Sequence, residues 1–146
     1  MAGSGPSMSN YKKMVAEMKL SDSVQFMGAT RDDGVLIGLY RDADVVVLPS
    51  NVGGPISCTI MEGLSSGRPV ISTNVPGGIP DIVDEEVGAL IERGDTDRLA
   101  RELLKLLTDR DYLERVGSNA RNRVEKYYTL ESMIDKLTDL YQEIEN

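Results

Sequence analysis

The sequence predicts an α/β fold with a mostly parallel sheet, helices on both faces of the sheet and a helical C-terminal tail. Short apolar runs alternate with helical segments in the first two-thirds of the chain, and this alternation is typical of parallel sheets. The run at 45–48 contains no polar residue, as expected of a strand that is covered on both faces. In the last third, apolar residues recur at helical spacing, which predicts the tail.

Composition and charge narrow the class of protein. With 146 residues, 40% hydrophobic and 27% charged, the chain is predicted to be one soluble domain. Its net charge of −8 without a Lys/Arg cluster argues against a nucleic-acid groove. A single cysteine, Cys58, and no histidine exclude an internal disulfide and predict no zinc or redox-metal cofactor. We expect a reducing, cytoplasmic location.

Helices and strands are predicted to alternate before the tail. The predicted strands are Val24–Met27, 44–50, 69–73 and 88–92. The predicted helices are 11–20, 32–43 and Cys58–Ser66. The second of these helices is expected to turn Leu36, Leu39 and Tyr40 inward.

Three amphipathic helices are predicted to form the C-terminal third. Each has an apolar stripe that we expect to face the core. The stripes consist of Leu99, Leu103, Leu106 and Leu107, then Leu113, Val116, Ala120 and Val124, and finally Leu130, Met133, Leu137, Leu140 and Ile144.

The stretch LPSNVGGPISCTIMEGLSSGRPVIST, residues 48–73, contains the main candidate site. Ligands of parallel sheets bind outside the carboxyl ends of the strands, where Gly53 and Gly54 would let a ligand approach the backbone. The following helix would direct the amides of Cys58 and Thr59 at the same space, and a helix N-terminus suits a diphosphate. Glu62 would repel phosphate, so we expect it to accept hydrogen bonds from the paired hydroxyls of a ribose or sugar.

Plainer interpretations stay open. Glu62 could simply offset the helix macrodipole, and the Gly-Gly-Pro sequence could be only a tight turn. The segment 42–44, DAD, precedes a strand and is interpreted as a helix-to-strand junction rather than a metal motif. Arg68 follows a helix C-terminus and is predicted at the surface, and the glycines of 77–83 either border the pocket or form a plain loop.

A set of motifs in fixed order resembles a known family. These motifs are GSGP, VQFMG, LYRDADVVVLPS, MEGLSSGRPVIST, GGIPDIV, GALIERGDTDRLARELLKLLTD and ARNRVEKYYTLESMIDKLTDLYQEI. Together they resemble the C-terminal, donor-binding domain of retaining glycosyltransferases with the GT-B fold, of the family 4 or group 1 type. The resemblance implies a Rossmann-like domain that binds a UDP-, GDP- or ADP-linked sugar. The family transfers a hexose to a glycan or lipid acceptor without a protein nucleophile.

The resemblance also assigns roles to single residues. Two glutamates eight positions apart flank this turn in the family, and the second corresponds to Glu62, which would bind the ribose hydroxyls. The first contacts the transferred sugar, but it falls on Gly54 or, with a one-residue gap, on Pro55, and neither is acidic. The amides of Cys58 and Thr59 fall where the family binds diphosphate.

In the family, the nucleotide base lies near two further positions. These positions correspond to Gly28 and Arg31, although Arg31 could equally be a solvated surface residue.

The resemblance implies that residues 1–146 are one partial domain. In the family, GSGP follows a strand, a glycine turn carrying an Arg and a Lys, a helix and a second strand. This chain starts at MAGSGP, so that segment and the N-terminal half would be missing. We therefore expect no activity from the isolated chain, association with the missing half, and exposed strand edges that favour self-association. The alternative is a degenerate domain that acts as a binding or assembly module, and an epimerase of the same fold is the third candidate.

Overall fold

The computed structural model describes residues 1–145, which fold into alternating helices and parallel strands. The elements are α1 (Met8–Glu17), α2 (Asp33–Asp42), β1 (Val46–Leu48), α3 (Cys58–Ser65), β2 (Val70–Thr73), β3 (Gly88–Ile91), α4 (Thr96–Thr108), α5 (Arg110–Tyr127) and α6 (Leu130–Glu145). The predicted α/β class with a parallel sheet and a helical tail is confirmed.

The sheet described in residues 1–145 has three parallel strands in the order β1-β2-β3. Val46 pairs with Val70, and Val70 pairs with Gly88, so the carboxyl ends of the three strands lie at one edge. The helix α3 connects β1 to β2, and the DAD segment lies between α2 and β1. This confirms that DAD is a helix-to-strand junction.

The chain divides into two compact units, residues 1–39 and residues 40 onward. In the first unit, the predicted strand Val24–Met27 is wrong, because only an isolated bridge forms there, between Ala2 and Gly28. The segment pairs with the first three residues, through Met27 N to Met1 O at 2.8 Å and Gly3 N to Gly28 O at 2.7 Å. That partner is too short to support a regular ladder.

The second unit has an apolar cluster on each face of the sheet. Val70 belongs to the cluster that includes Ile60 and Leu64 of α3. Ile71, the next residue of β2, belongs to the cluster that includes Leu106 of α4. Successive strand residues point to opposite faces, so the sheet is covered by helices on both sides, as predicted.

Two burial predictions fail at the edges of this core. Val47 of β1 is 37% exposed because α4, the helix on that face of the sheet, contacts mainly the strands β2 and β3, so β1 is not covered on both faces as expected. Leu107 is also exposed, whereas Leu106 is buried, and the α4 stripe is therefore narrower than predicted.

The apolar stripe of α6 is not buried. All five residues predicted to face the core are between 44% and 71% exposed, namely Leu130, Met133, Leu137, Leu140 and Ile144. Within residues 1–145, α6 contacts mainly α5. Helical spacing identifies an amphipathic helix but does not supply the layer that would cover it.

Arg123 of α5 makes hydrogen bonds to the segment that connects β2 and β3. Its guanidinium donates to Ile82 O at 3.0 Å, to Asp84 Oδ2 at 2.7 Å and to Glu86 Oε2 at 2.7 Å. Burial alone would raise the pKa of the Asp84 carboxyl, but the hydrogen bonds from Arg123 and from the backbone amide of Glu86, together with the charge of Arg123, outweigh it, so that this pKa lies below its ordinary value. The 82–86 segment is thereby held against the core.

We expect Arg123→Met to lower the free energy of unfolding by about 1–2 kcal/mol, mainly because the partly buried carbonyl of Ile82 loses its charged donor. The carboxylates of Asp84 and Glu86 are exposed and can be hydrated, so their share is small. Urea denaturation measures this loss. In the wild type, the contribution from Asp84 is present above the unfolded pKa near 3.8 and disappears as the pH falls through the lower folded value.

The matched control is Arg110→Met. Arg110 makes one exposed pair with Glu114 four residues away on the same helix, and such pairs contribute about 0.3–0.5 kcal/mol. Equal destabilisation by the two variants would contradict the proposed role of Arg123.

Candidate functional site

Two glycine-containing loops meet at the carboxyl edge of the sheet. The loop after β1 and the loop after β2 are joined by a bridge between Gly54 and Gly77, and Gly78 N donates to Gly54 O at 3.0 Å. A Cβ on Gly53 would collide with the carbonyl oxygen of Pro76. The sequence-predicted residues Gly53 and Gly54 therefore lie on a loop whose path is fixed by close backbone contact.

The loop after β3 reaches the same edge. Arg93 donates to Asn51 O at 3.4 Å, and Asn74 N donates to Ile91 O at 2.7 Å. Ser72 Oγ also donates to Leu48 O, at 2.8 Å, across the ends of β2 and β1. These contacts connect the loops after all three strands.

The helix α3 begins beside this edge with Cys58 as its first residue. In the described chain, Ser57 occupies the N-cap position without a side-chain capping bond. The first-turn amides of a helix lack acceptors within the helix, so those of Cys58 and Thr59 are available to a ligand. Cys58 itself is exposed.

Glu62 lies on α3 and is half-buried. Its Oε2 accepts a hydrogen bond of 2.8 Å from the hydroxyl of Tyr40. Burial, followed by the hydrogen bond and charge of Glu62, raises the pKa of Tyr40 to about 12, and a hydrogen bond from Thr59 acts in the opposite direction. Tyr40, Thr59 and Glu62 thus form one polar cluster at the first two turns of α3.

The remaining predicted site residues belong to the other unit. Gly28 has φ +72°, a conformation that favours glycine, and its carbonyl accepts from Gly3 N at 2.7 Å. Arg31 is exposed. The structure thus groups the five predicted residues of 53–62 on one loop and helix, and Gly28 and Arg31 remain predictions for the base.

Arg68 is half-buried rather than fully at the surface. Its Nη2 donates to Arg41 O at 2.5 Å, so it holds the end of α2 and lies at the C-terminal end of α3, away from the amides of Cys58 and Thr59.

Sequence reasoning missed the contact of Tyr40 with Glu62 and the position of Arg93. Tyr40 packs against the core cluster, as the helical spacing predicts, but that spacing gives no indication that its hydroxyl bonds a residue 22 positions later. The position of Arg93 could have been inferred because it lies two residues after a strand of the parallel sheet, at the carboxyl edge where ligands of such sheets bind.

Two classes of feature are absent from the part of the chain that the structure describes. Among residues 1–145, no group of Cys, Asp or Glu side chains is arranged to hold a metal ion. None of the described helices combines the length and apolar character that a membrane span requires.

Comparisons with known proteins agree on one family. Residues 1–123 match the family described as glycosyl transferases group 1. Sulfoquinovosyl transferase SQD2 of Arabidopsis thaliana is 34% identical over 129 residues, which cover 86% of this chain and 24% of SQD2. The chain therefore spans about a quarter of the length of this relative.

Two solved structures have a similar fold. Sucrose-phosphate synthase from Thermosynechococcus elongatus superimposes with a TM-score of 0.80 at 30% identity, covering 97% of this chain and 37% of that protein. A variant of S. aureus TarM, solved in complex with fondaparinux, α-GlcNAc-glycerol and UDP, gives a TM-score of 0.80 at 25% identity, covering 96% of this chain and 28% of TarM.

We expect Gly53→Ala to destabilise the protein by about 1–3 kcal/mol, because its methyl group collides with a backbone carbonyl that cannot rotate away. Thermal unfolding and the amide shifts of Gly77 and Gly78 measure the effect. Gly54→Ala is the matched control, since a Cβ there meets nothing within 4 Å, and it should cost less than about 0.5 kcal/mol. Similar losses in the two variants would contradict the close contact of the loops.

We expect Glu62→Gln to lower the pKa of Tyr40 from about 12, while leaving it above the ordinary value because burial remains. The ring ¹³Cζ shift, assigned with Tyr40→Phe, measures this pKa. The pKa is raised on folding, so its contribution to stability is complete below pH 10.0 and is lost as the pH rises towards 12. An unchanged midpoint in Glu62→Gln would show that the two side chains do not interact.

Proposed function

This chain belongs to the glycosyl transferases group 1 family and has the fold of a GT-B C-terminal domain, and we propose that it binds the nucleotide-diphosphate sugar donor at the carboxyl edge of its sheet. The observation that carries the proposal is the position of Glu62. Glu62 lies on the second turn of α3, and its carboxylate accepts a hydrogen bond from Tyr40. In the described chain, the N-cap residue of α3 makes no side-chain bond to the first amides of the helix.

The amides of Cys58 and Thr59 bind the diphosphate in this proposal. A helix N-terminus carries roughly half a positive charge, and its free N–H groups bind phosphate oxygens directly. This arrangement suits a chain with a net charge of −8. The loops approach each other closely at Gly53 and Gly77, so the path of the backbone beside α3 is fixed before a ligand binds.

Glu62 binds the ribose hydroxyls. A carboxylate accepts hydrogen bonds only, so it selects paired hydroxyl donors and disfavours phosphate. Its position on the second turn of α3 keeps it about one turn from the diphosphate-binding amides.

The transfer that we propose for the complete enzyme is retaining. The amides stabilise the negative charge that develops on the leaving diphosphate, and the leaving phosphate guides the acceptor to the same face of the sugar. Cys58 lacks the activating base of a thiol nucleophile in a chain without histidine.

The donor and acceptor are proposed as classes. TarM in complex with UDP supports a uridine donor, and GDP- and ADP-linked hexoses are the other candidates. A glycan or lipid is the proposed acceptor. Because the chain spans 24–37% of the relatives described above, transfer itself is assigned to the chain together with an acceptor-binding half, at the membrane surface or in the cytoplasm.

We expect UDP, GDP or ADP at millimolar concentration to perturb the amide resonances of 53–59 in ¹H–¹⁵N spectra. Glu62→Gln keeps the size of the side chain but removes its charge, and should weaken the binding of the preferred nucleotide about tenfold. The matched control is Glu114→Gln, an exposed glutamate of α5, which should bind as the wild type does.

No perturbation with any of the three nucleotides would contradict the proposal and favour a non-catalytic assembly module. Perturbation confined to other residues, with equal affinities for wild type and Glu62→Gln, would contradict the assignment of the site.

A further inference from the structure

We propose that Tyr40 is a positioning residue that orients Glu62 for the ribose of the nucleotide, an inference that rests on the proposed donor site. The hydroxyl of Tyr40 donates to Oε2 of Glu62 at 2.8 Å. Oε1 is thereby left for the ligand. Tyr40 itself does not touch the nucleotide in this proposal.

The ring of Tyr40 is fixed by packing. It lies against the buried cluster that contains Val46 and Ile60, together with the half-buried side chains of Leu48 and Met61. The hydroxyl therefore has a defined position relative to β1 and α3. Anchoring by a packed aromatic ring costs little conformational entropy when a ligand binds.

The carboxylate of Glu62 needs such an anchor. Glutamate has three side-chain torsions. A half-buried glutamate without a hydrogen-bond partner can therefore adopt several rotamers. A charge-assisted hydrogen bond from a phenol restricts it to one. The remaining oxygen can then accept two hydrogen bonds, which is what the 2′- and 3′-hydroxyls of a ribose offer.

The inference makes Tyr40 a determinant of specificity for ribose. Tyr40→Phe keeps the ring and its packing but leaves Glu62 free to rotate. Affinity for a ribonucleotide should then fall, whereas affinity for the corresponding 2′-deoxynucleotide should fall less, because it offers Glu62 only its 3′-hydroxyl.

The test compares UDP, GDP and ADP with their 2′-deoxy forms by isothermal titration calorimetry or amide shifts. We expect the wild type to prefer the ribonucleotide, and Tyr40→Phe to weaken ribonucleotide binding about threefold to tenfold while the deoxynucleotide affinity stays within about twofold. The double variant Tyr40→Phe/Glu62→Gln should bind no more weakly than Glu62→Gln alone, since the two residues act through one contact.

Tyr128→Phe is the matched control. Tyr128 also packs against the cluster that contains Val46, but its hydroxyl lies 3.5 Å from Asp81 O and makes no contact with Glu62. This variant should keep the wild-type preference for ribose. Thermal unfolding of both variants reports any general loss of structure separately.

The possible results separate this inference from the donor site itself. If Glu62→Gln abolishes the preference for ribose but Tyr40→Phe keeps it, Tyr40 is not a positioning residue and the donor site stands. If Tyr40→Phe weakens both forms of the nucleotide equally, its role is structural and the inference is overturned. If the wild type and Glu62→Gln show no preference for ribose, the ribose site fails and the inference fails with it.

Discussion

The packing of α3 against the sheet at Gly63 determines where the candidate site lies. A Cβ on Gly63 would lie 3.1 Å from Val46 Cγ2 and 3.3 Å from Val70 Cγ2, and the neighbouring Ile60 and Leu64 are fully buried. A larger residue would move the helix outward, because a close-packed interior transmits such changes. Glu62 precedes Gly63, so its contact with Tyr40 depends on this close approach.

The proposed site also requires that α3 present positive potential at its first turn and a negative carboxylate on its second turn. In the proposed site, the diphosphate requires positive potential, which the first-turn amides of α3 would supply, and the ribose requires a hydrogen-bond acceptor, which Glu62 would provide. A carboxylate placed among the first-turn amides would cancel their positive potential, whereas a carboxylate on the second turn reduces that potential less because it is farther away. The phenol of Tyr40 donates to that carboxylate without adding a charge, so the polar cluster can face the ligand edge without a lysine or arginine partner.

Sequence patterns correctly predicted the segments whose local preference for helix or strand matches the conformation that tertiary packing requires. Val46, Val70 and Ala89 lie in strands because their apolar runs are bounded by turn residues, and the loop and helix of 53–62 follow from the glycines and the edge of a parallel sheet. The patterns failed where burial depends on a partner element: the segment Val24–Met27 pairs with only three residues, and the stripe of α6 remains exposed. The contact between Tyr40 and Glu62 could not be predicted, because it joins two helices through one hydroxyl.

The first glutamate of the family pattern falls on Gly54 or, with a one-residue gap, on Pro55, and at Gly54 its absence has no steric cause. A Cβ there would meet nothing within 4 Å, and Gly54 is not among the glycines with positive φ, so the backbone does not require glycine at this position. A glutamate could therefore stand here with its carboxylate at the ligand edge, as the family pattern has it. In the proposed site, its absence removes the acceptor for the transferred sugar but leaves the amides and Glu62 in place, so we expect recognition to depend more on the nucleoside diphosphate than on the hexose attached to it.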